Sequence, residues 1–272
     1  MQMTPFKTGR KHDINIVTFP SEGVSDTAIF CIHGMGGRAE QFYSMARHLQ
    51  PFGKVIIPEM LGHGHSPKPH RSRRYNANRF LEDLTHVFDH YAMEKNILIG
   101  HSLGGAMAAH LAILQGKNVQ KLILFSPMAH KPFKNIPLLI HCPVWFINIF
   151  REWIENDFFS KTYPETSDPQ ALAIESEASR RNPMYVIKPL VLSLAKIKTI
   201  DPSEIKASTL IIAGGKDKLI PLEEIKTFYG SIPKVHIEEL PALGHYTYIE
   251  KPYLCQAIVQ KFLQNRIDQE GF

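Results

Sequence analysis

The reading of this chain turns on Asn96-Ile97-Leu98-Ile99-Gly100-His101-Ser102-Leu103-Gly104-Gly105-Ala106. A short apolar run ends in Gly-x-Ser-x-Gly, and an alanine-rich pattern of helical character begins directly after it. A strand that runs straight into a helix must turn sharply. The glycines permit that turn and let the two elements approach closely, so that the serine hydroxyl projects at the helix N-terminus. The motif alone is weak evidence, and its position between a strand and a helix gives it weight. The plainer alternative is a helix-capping serine.

A serine hydroxyl is a poor nucleophile until a base takes its proton, and a histidine base needs a carboxylate to hold its tautomer. Both partners are expected downstream in loops that follow strands. The run Thr209 to Ala213 leads into Gly214-Gly215-Lys216-Asp217, and Val235 to Leu240 leads into Pro241-Ala242-Leu243-Gly244-His245. The order Ser102, Asp217, His245 is the one expected for an elbow of this kind. With 14 histidines in the chain, position has to select the base, and His236 falls inside a strand pattern. The plainer reading of Asp217 is a turn aspartate beside Gly-Gly, but the loop after Leu122 to Phe125 reads Ser126-Pro127 and offers no acid.

Acyl transfer also needs hydrogen-bond donors for the oxyanion. The N–H of Leu103, just after the nucleophile, is one candidate. The second is the N–H of Met35 in His33-Gly34-Met35-Gly36-Gly37, which follows the run Ala28 to Ile32. Gly34 and His101 then flank the substrate. No phosphate-loop lysine and no Gly-x-Gly-x-x-Gly follows a strand, so no nucleotide cofactor is expected. Cys31, Cys142 and Cys255 are too few and too scattered for a zinc site or a disulfide framework, so no metal is expected either.

Working outward, seven strand-length runs recur: Ile14–Phe19, Ala28–Ile32, Lys54–Pro58, Ile97–Ile99, Leu122–Phe125, Thr209–Ala213 and Val235–Leu240. Helical patterns lie between them, at Ala39–Leu49, Asn76–Tyr91, Leu103–Leu114, Leu222–Tyr229 and Tyr253–Gln264. This alternation predicts an α/β fold, with a mostly parallel sheet covered on both faces. It breaks between Pro127 and about Pro202, where prolines punctuate short helical stretches. The expected organisation is a core of residues 1–126 and 203–272 interrupted by a helical insertion, 127–202. Its most apolar part, Ile136 to Phe150, is 15 residues long, too short for a membrane span. Trp145, Phe146 and Ile149 within it are expected to face the substrate.

The chain has 272 residues, 44% hydrophobic and 21% charged, which excludes disordered and fibrous classes. No run of 18 apolar residues occurs and the first residues lack the apolar core of a secretory signal, so a cytoplasmic protein is expected. The net charge of +5 is partly local: Lys68, Arg71, Arg73, Arg74 and Arg79 crowd around His70. A solvated loop is the first reading and an anionic partner the second. No aromatic ladder accompanies the charges, so nucleic acid is not expected.

Taken together, these motifs resemble those of the α/β-hydrolase fold family over nearly the whole chain. HGMGG (33–37), GHSLGG (100–105), GGKDKLIP (214–221) and ALGHYTYIEKP (242–252) stand where that family has its oxyanion loop, nucleophile, acid and base. Residues 59–66, EMLGHGHS, are similar to its Asp-x-x-Gly-His-Gly-x-Ser loop, with Glu59 where aspartate is usual. The closest subgroup is that of capped serine esterases and lipases of the monoacylglycerol lipase and carboxylesterase type. The resemblance implies a helical cap over the site and hydrolysis of a small acyl ester with an apolar acyl chain through an acyl-enzyme. A serine nucleophile sets the chain apart from the epoxide hydrolases and haloalkane dehalogenases of this fold, which use aspartate. Two alternatives stay open: an acyl group carried by an acidic acyl carrier protein docked on the basic loop, and a ligand receptor or scaffold with little turnover.

Overall fold

The computed structural model describes residues 1–129, 138–165 and 167–266. Its centre is an eight-stranded sheet in the order β1-β2-β4-β3-β5-β6-β7-β8. The strands are β1 (Gln2–Lys7), β2 (Asp13–Phe19), β3 (Thr27–Ile32), β4 (Lys54–Glu59), β5 (Lys95–His101), β6 (Lys121–Phe125), β7 (Ser208–Gly214) and β8 (Val235–Leu240). The first two run antiparallel to their neighbours and the other six are mutually parallel. All seven expected strands are present. The eighth, β1, was not expected: Pro5 interrupts its pattern and most of it is exposed, both of which a sheet edge tolerates.

Side chains alternate between two cores, as the period of two requires. From β3, Ala28, Phe30 and Ile32 face one core, and Ile29 and Cys31 the other. Helices α2 (Ala77–Tyr91), α3 (Leu103–Gln115) and α8 (Leu222–Tyr229) cover the first face; α1 (Tyr43–Leu49) and α10 (Pro252–Leu263) cover the second. A short helix, α9 (Thr247–Glu250), leads into α10.

Between β6 and β7 the described residues are helical: α4 (Val144–Ile149), α5 (Arg151–Thr162), α6 (Pro169–Arg180) and α7 (Met184–Leu194). Pro189 lies inside α7 rather than ending a helix. Of the apolar stretch 136–150, residues 136 and 137 lie outside the described residues, as does Pro132. No helix among the described residues is long and apolar enough to cross a membrane.

Glu59 ends β4 with its carboxylate fully buried. It accepts hydrogen bonds from Asn15 Nδ2 at 2.8 Å, Ala39 N at 2.9 Å and His65 N at 2.8 Å. Ser66 Oγ donates to the Glu59 carbonyl at 2.6 Å and accepts from Asn15 N at 2.8 Å. The substitution of glutamate for aspartate thus sits in a structural knot joining β2, β4 and the start of the helical turn at 39–42. His63, in the same loop, is buried against His33 and Phe80. Burial first, and then the charge of His33, push its pKa down to about 3.

An unfolded histidine titrates near 6.5, so between that value and about 3 the unfolded chain binds a proton at residue 63 that the folded chain refuses. Stability therefore falls as pH is lowered through this window, by roughly 1 kcal/mol per pH unit from this residue. Urea titrations at pH 7, 6 and 5 should show that fall, and His63→Gln should flatten the slope by about that amount; an unchanged slope would mean that His63 does not stay neutral.

Candidate active site

Each chemical group of the site lies at the C-terminal end of a strand. β5 ends at His101, and Ser102 follows with φ 53° and ψ −120° before α3 begins. A non-glycine residue at positive φ is strained, and here the surroundings hold it. Ser102 N donates to Phe125 O at 3.0 Å, and Ser102 O accepts from Met128 N at 3.0 Å. The helix start lies against β3 so closely that a Cβ on Gly104 would stand 2.3 Å from the Ile32 carbonyl oxygen. In the first turn of α3 the N–H groups of Leu103 and its neighbours have no partner within the helix.

The loop after β3 faces this turn. His33 is buried, donating through Nδ1 to Gly34 O at 2.7 Å and accepting at Nε2 from Met60 N at 3.1 Å, and desolvation holds its pKa below the ordinary value. Gly36, at φ +75°, completes a turn closed by Gly37 N donating to Gly34 O at 3.1 Å. Gly34 lies against Ser102: a Cβ there would lie 3.1 Å from Ser102 Cβ. Met35, Ser102, Leu103, His101 and His245 line one pocket.

Asp217 and His245, in the loops after β7 and β8, are both buried and meet at 2.6 Å, His245 Nδ1 to Asp217 Oδ2. The other oxygen, Oδ1, accepts from Leu219 N and Ile220 N, each at 2.9 Å. The carboxylate is thus held by three donors in one orientation, which aims it at the imidazole. The acid and base loops are bonded to each other, Gly215 N to Leu240 O at 3.0 Å and Lys216 N to Leu243 O at 2.8 Å. They are also bonded to α5, His245 N to Thr162 O at 2.6 Å and Lys218 N to Lys161 O at 2.9 Å. Tyr246 stacks on Tyr163, with centroids 5.0 Å apart. His101 Nε2 donates to His245 O at 3.2 Å, and burial drives its pKa well down, so the imidazole beside the nucleophile is neutral.

The structure brings Ser102, Asp217, His245, Met35, Leu103, Gly34 and His101 together. It does not bring Trp145, Phe146 and Ile149 to them. Trp145 and Ile149 are 67% and 66% exposed, and none of the three lines the pocket. The apolar wall is made instead by Met35, Leu103, Met128, Phe158, Leu194, Leu219, Ile220 and Tyr246. Phe158 escaped the sequence reading because α5 carries no strong apolar stripe. The pocket is about 30 Å³ in volume and partly open to solvent.

Elsewhere, Glu40, Glu59 and His65 bring ligand-type atoms within 4.8 Å of one another. The Glu59 oxygens are already occupied by three N–H donors, and Arg38 Nε stands 3.8 Å from Glu40, so a cation has little to gain there. In the basic loop, Lys68 turns its ammonium onto the Gly64 and Ser66 carbonyls, while Arg71 and Arg73 are exposed.

A family model described as alpha/beta hydrolase fold matches residues 27–252. A Bacillus subtilis (strain 168) protein assigned as a 2-succinyl-6-hydroxy-2,4-cyclohexadiene-1-carboxylate synthase is 28% identical over 253 residues, covering 87% of this chain and 90% of that one. Lipase 1 of Psychrobacter immobilis is 25% identical over 241 residues, covering 84% of this chain and 74% of that one. The mouse protein ABHD8 is 21% identical over 245 residues; 88% of this chain matches 55% of that longer protein. Among solved structures, a thermophilic esterase from Thermogutta terrifontis has a TM-score of 0.80 at 19% identity, covering 98% of this chain and 99% of that one, a likeness of fold. None of these names points to a carrier-bound substrate.

The approach of α3 to β3 supplies a test of the elbow's packing. Gly104→Ala puts a methyl against backbone that cannot yield, so it should destabilise the protein by about 1–3 kcal/mol, read as a lower urea midpoint. A midpoint equal to that of the unmodified chain would mean the helix start can shift freely.

Proposed function

Because the chain belongs to the α/β-hydrolase fold family, we propose that it is a serine hydrolase of carboxylic esters, acting through an acyl-enzyme. The observation that carries this reading is the buried 2.6 Å His245–Asp217 pair sharing a pocket with Ser102 on its strained turn.

Ser102 Oγ attacks the ester carbonyl while His245 Nε2 takes its proton. Asp217 keeps Nδ1 protonated and offsets the charge that forms on the imidazole. The N–H groups of Met35 and Leu103 stabilise the tetrahedral oxyanion, and the dipole of α3 favours negative charge at the same point. His245 then gives its proton to the departing alkoxide, and a water activated by the same imidazole releases the acid. Residues 127–202 act as a cap over this pocket, with Met128, Phe158 and Leu194 as its contribution to the acyl wall.

The pocket favours a short, neutral acyl group. The carboxylate named in the product of the Bacillus subtilis relative calls for a cationic partner, and no lysine or arginine lines this pocket among the described residues. The small volume of the pocket favours a short acyl group. The wall itself is apolar, as an acyl chain requires.

Ser102→Ala should lower ester hydrolysis to below about one per cent with an unchanged fold, and Asp217→Asn should lower kcat by a factor on the order of 10⁴ through the wrong histidine tautomer. Residual turnover above these levels, measured with p-nitrophenyl acetate alongside circular dichroism, would reject the assignment. Phe158→Ala should move the optimum toward longer chains. Each further methylene buried is worth roughly 0.8 kcal/mol, about fourfold in relative kcat/KM. A chain-length series on both proteins reads this directly, and an unaltered profile would remove Phe158 from the acyl wall.

A further inference from the structure

Two polar ties run from the helical insertion to the loop that carries Met35, and the mechanism above uses neither. Asn182, 5% exposed, ends the turn after α6, and its Nδ2 donates to Gly36 O at 2.6 Å. Its own backbone is fixed: the N–H donates to Ser179 O at 3.0 Å and the carbonyl accepts from Arg151 Nη2 at 3.0 Å. Two residues beyond Gly36, the Arg38 guanidinium meets Glu175 of α6 at 2.9 and 3.2 Å, and Gln41 donates to the same carboxylate at 2.8 Å.

The peptide between Gly36 and Gly37 is therefore held at both ends. Its N–H points inward to Gly34 O, and its carbonyl points outward to Asn182. With Gly36 at φ +75° this is a tight turn with glycine in its third position, and rotating the peptide breaks one bond or the other. The Met35 N–H belongs to the Gly34–Met35 peptide, whose carbonyl accepts from Gly37 N and His33 Nδ1, so its direction follows from the same turn. A loop carbonyl that water could satisfy is satisfied instead by a buried amide from a distant part of the chain.

We propose that Asn182 is a positioning residue through which the insertion sets the Met35 N–H toward the oxyanion, with the Glu175–Arg38 pair as a second tie. The inference rests on the reading of Ser102 as nucleophile. A bond that holds a transition-state donor in place acts on the chemical step, so its loss falls on kcat and spares KM.

Asn182→Ala and Asn182→Asp, the second keeping the shape but losing the donor, can be compared with the unmodified protein. The readouts are kcat and KM for p-nitrophenyl acetate and the rate of Ser102 labelling by a fluorophosphonate. Both variants should lose about tenfold in kcat and in labelling rate, less than the 10²–10³ lost with a whole oxyanion donor, with KM within about twofold. Should Asn182→Ala fail to fold, Asn182→Asp and Glu175→Gln decide, the latter with a smaller loss in kcat. A raised KM with unchanged kcat, or no change in either, would overturn the proposal and leave Asn182 as part of the roof. Absence of labelling in the unmodified protein would instead reject the nucleophile itself.

Discussion

The close approach of α3 to the end of β3 is the constraint on which the rest of the site depends. Where Gly104 passes the Ile32 carbonyl there is no room for a side chain, so helix start and strand end share one point in space. The loop leaving β3 must then pass over the first turn of α3, which sets Gly34 against Ser102 and Met35 beside Leu103. Two loops, far apart in sequence, meet because two backbones touch. The strain at Ser102 is held by the same geometry, since its amide and carbonyl are both tied to the β6 side of the sheet.

Around that point three imidazoles are kept uncharged by the removal of water. His33, His63 and His101 are buried, and desolvation lowers the affinity of each for a proton. The buried carboxylate of Asp217 gives Oδ1 to the amides of Leu219 and Ile220 and Oδ2 to His245. A field built from neutral rings and oriented amides leaves the developing charge of the reaction as the main charge in the pocket, where low polarisability makes each fixed dipole count.

Much of this was legible in the chain because local chemistry announces it. β-Branched runs at strand length mark β2 to β8, and glycines on either side of Ser102, before Asp217 and before His245 mark the turns that present them. Other parts carry no such mark. Pro5 hides β1, since an edge strand needs neither a continuous ladder nor an apolar face. The bulk of Trp145 and Ile149 suggested a pocket, yet α4 turns both to solvent and the wall falls to Phe158 and Leu194, whose positions depend on how helices dock rather than on their spacing. The acceptors Thr162 O, Lys161 O and Gly36 O are backbone atoms, which every residue possesses, so sequence says nothing of them. Glu59 was visible as a departure from a pattern, and its three N–H partners show how the longer side chain is accommodated away from Ser102, Asp217 and His245.

The last carbonyls of a helix have no partners within it, and α5 gives two of its own to the amides of Lys218 and His245. A rigid-body swing of the insertion would have to break both bonds, one of them to the buried residue His245. The end of α5 that these bonds pin also brings Phe158 to the pocket, so the place of this ring is tied to the loops after β7 and β8.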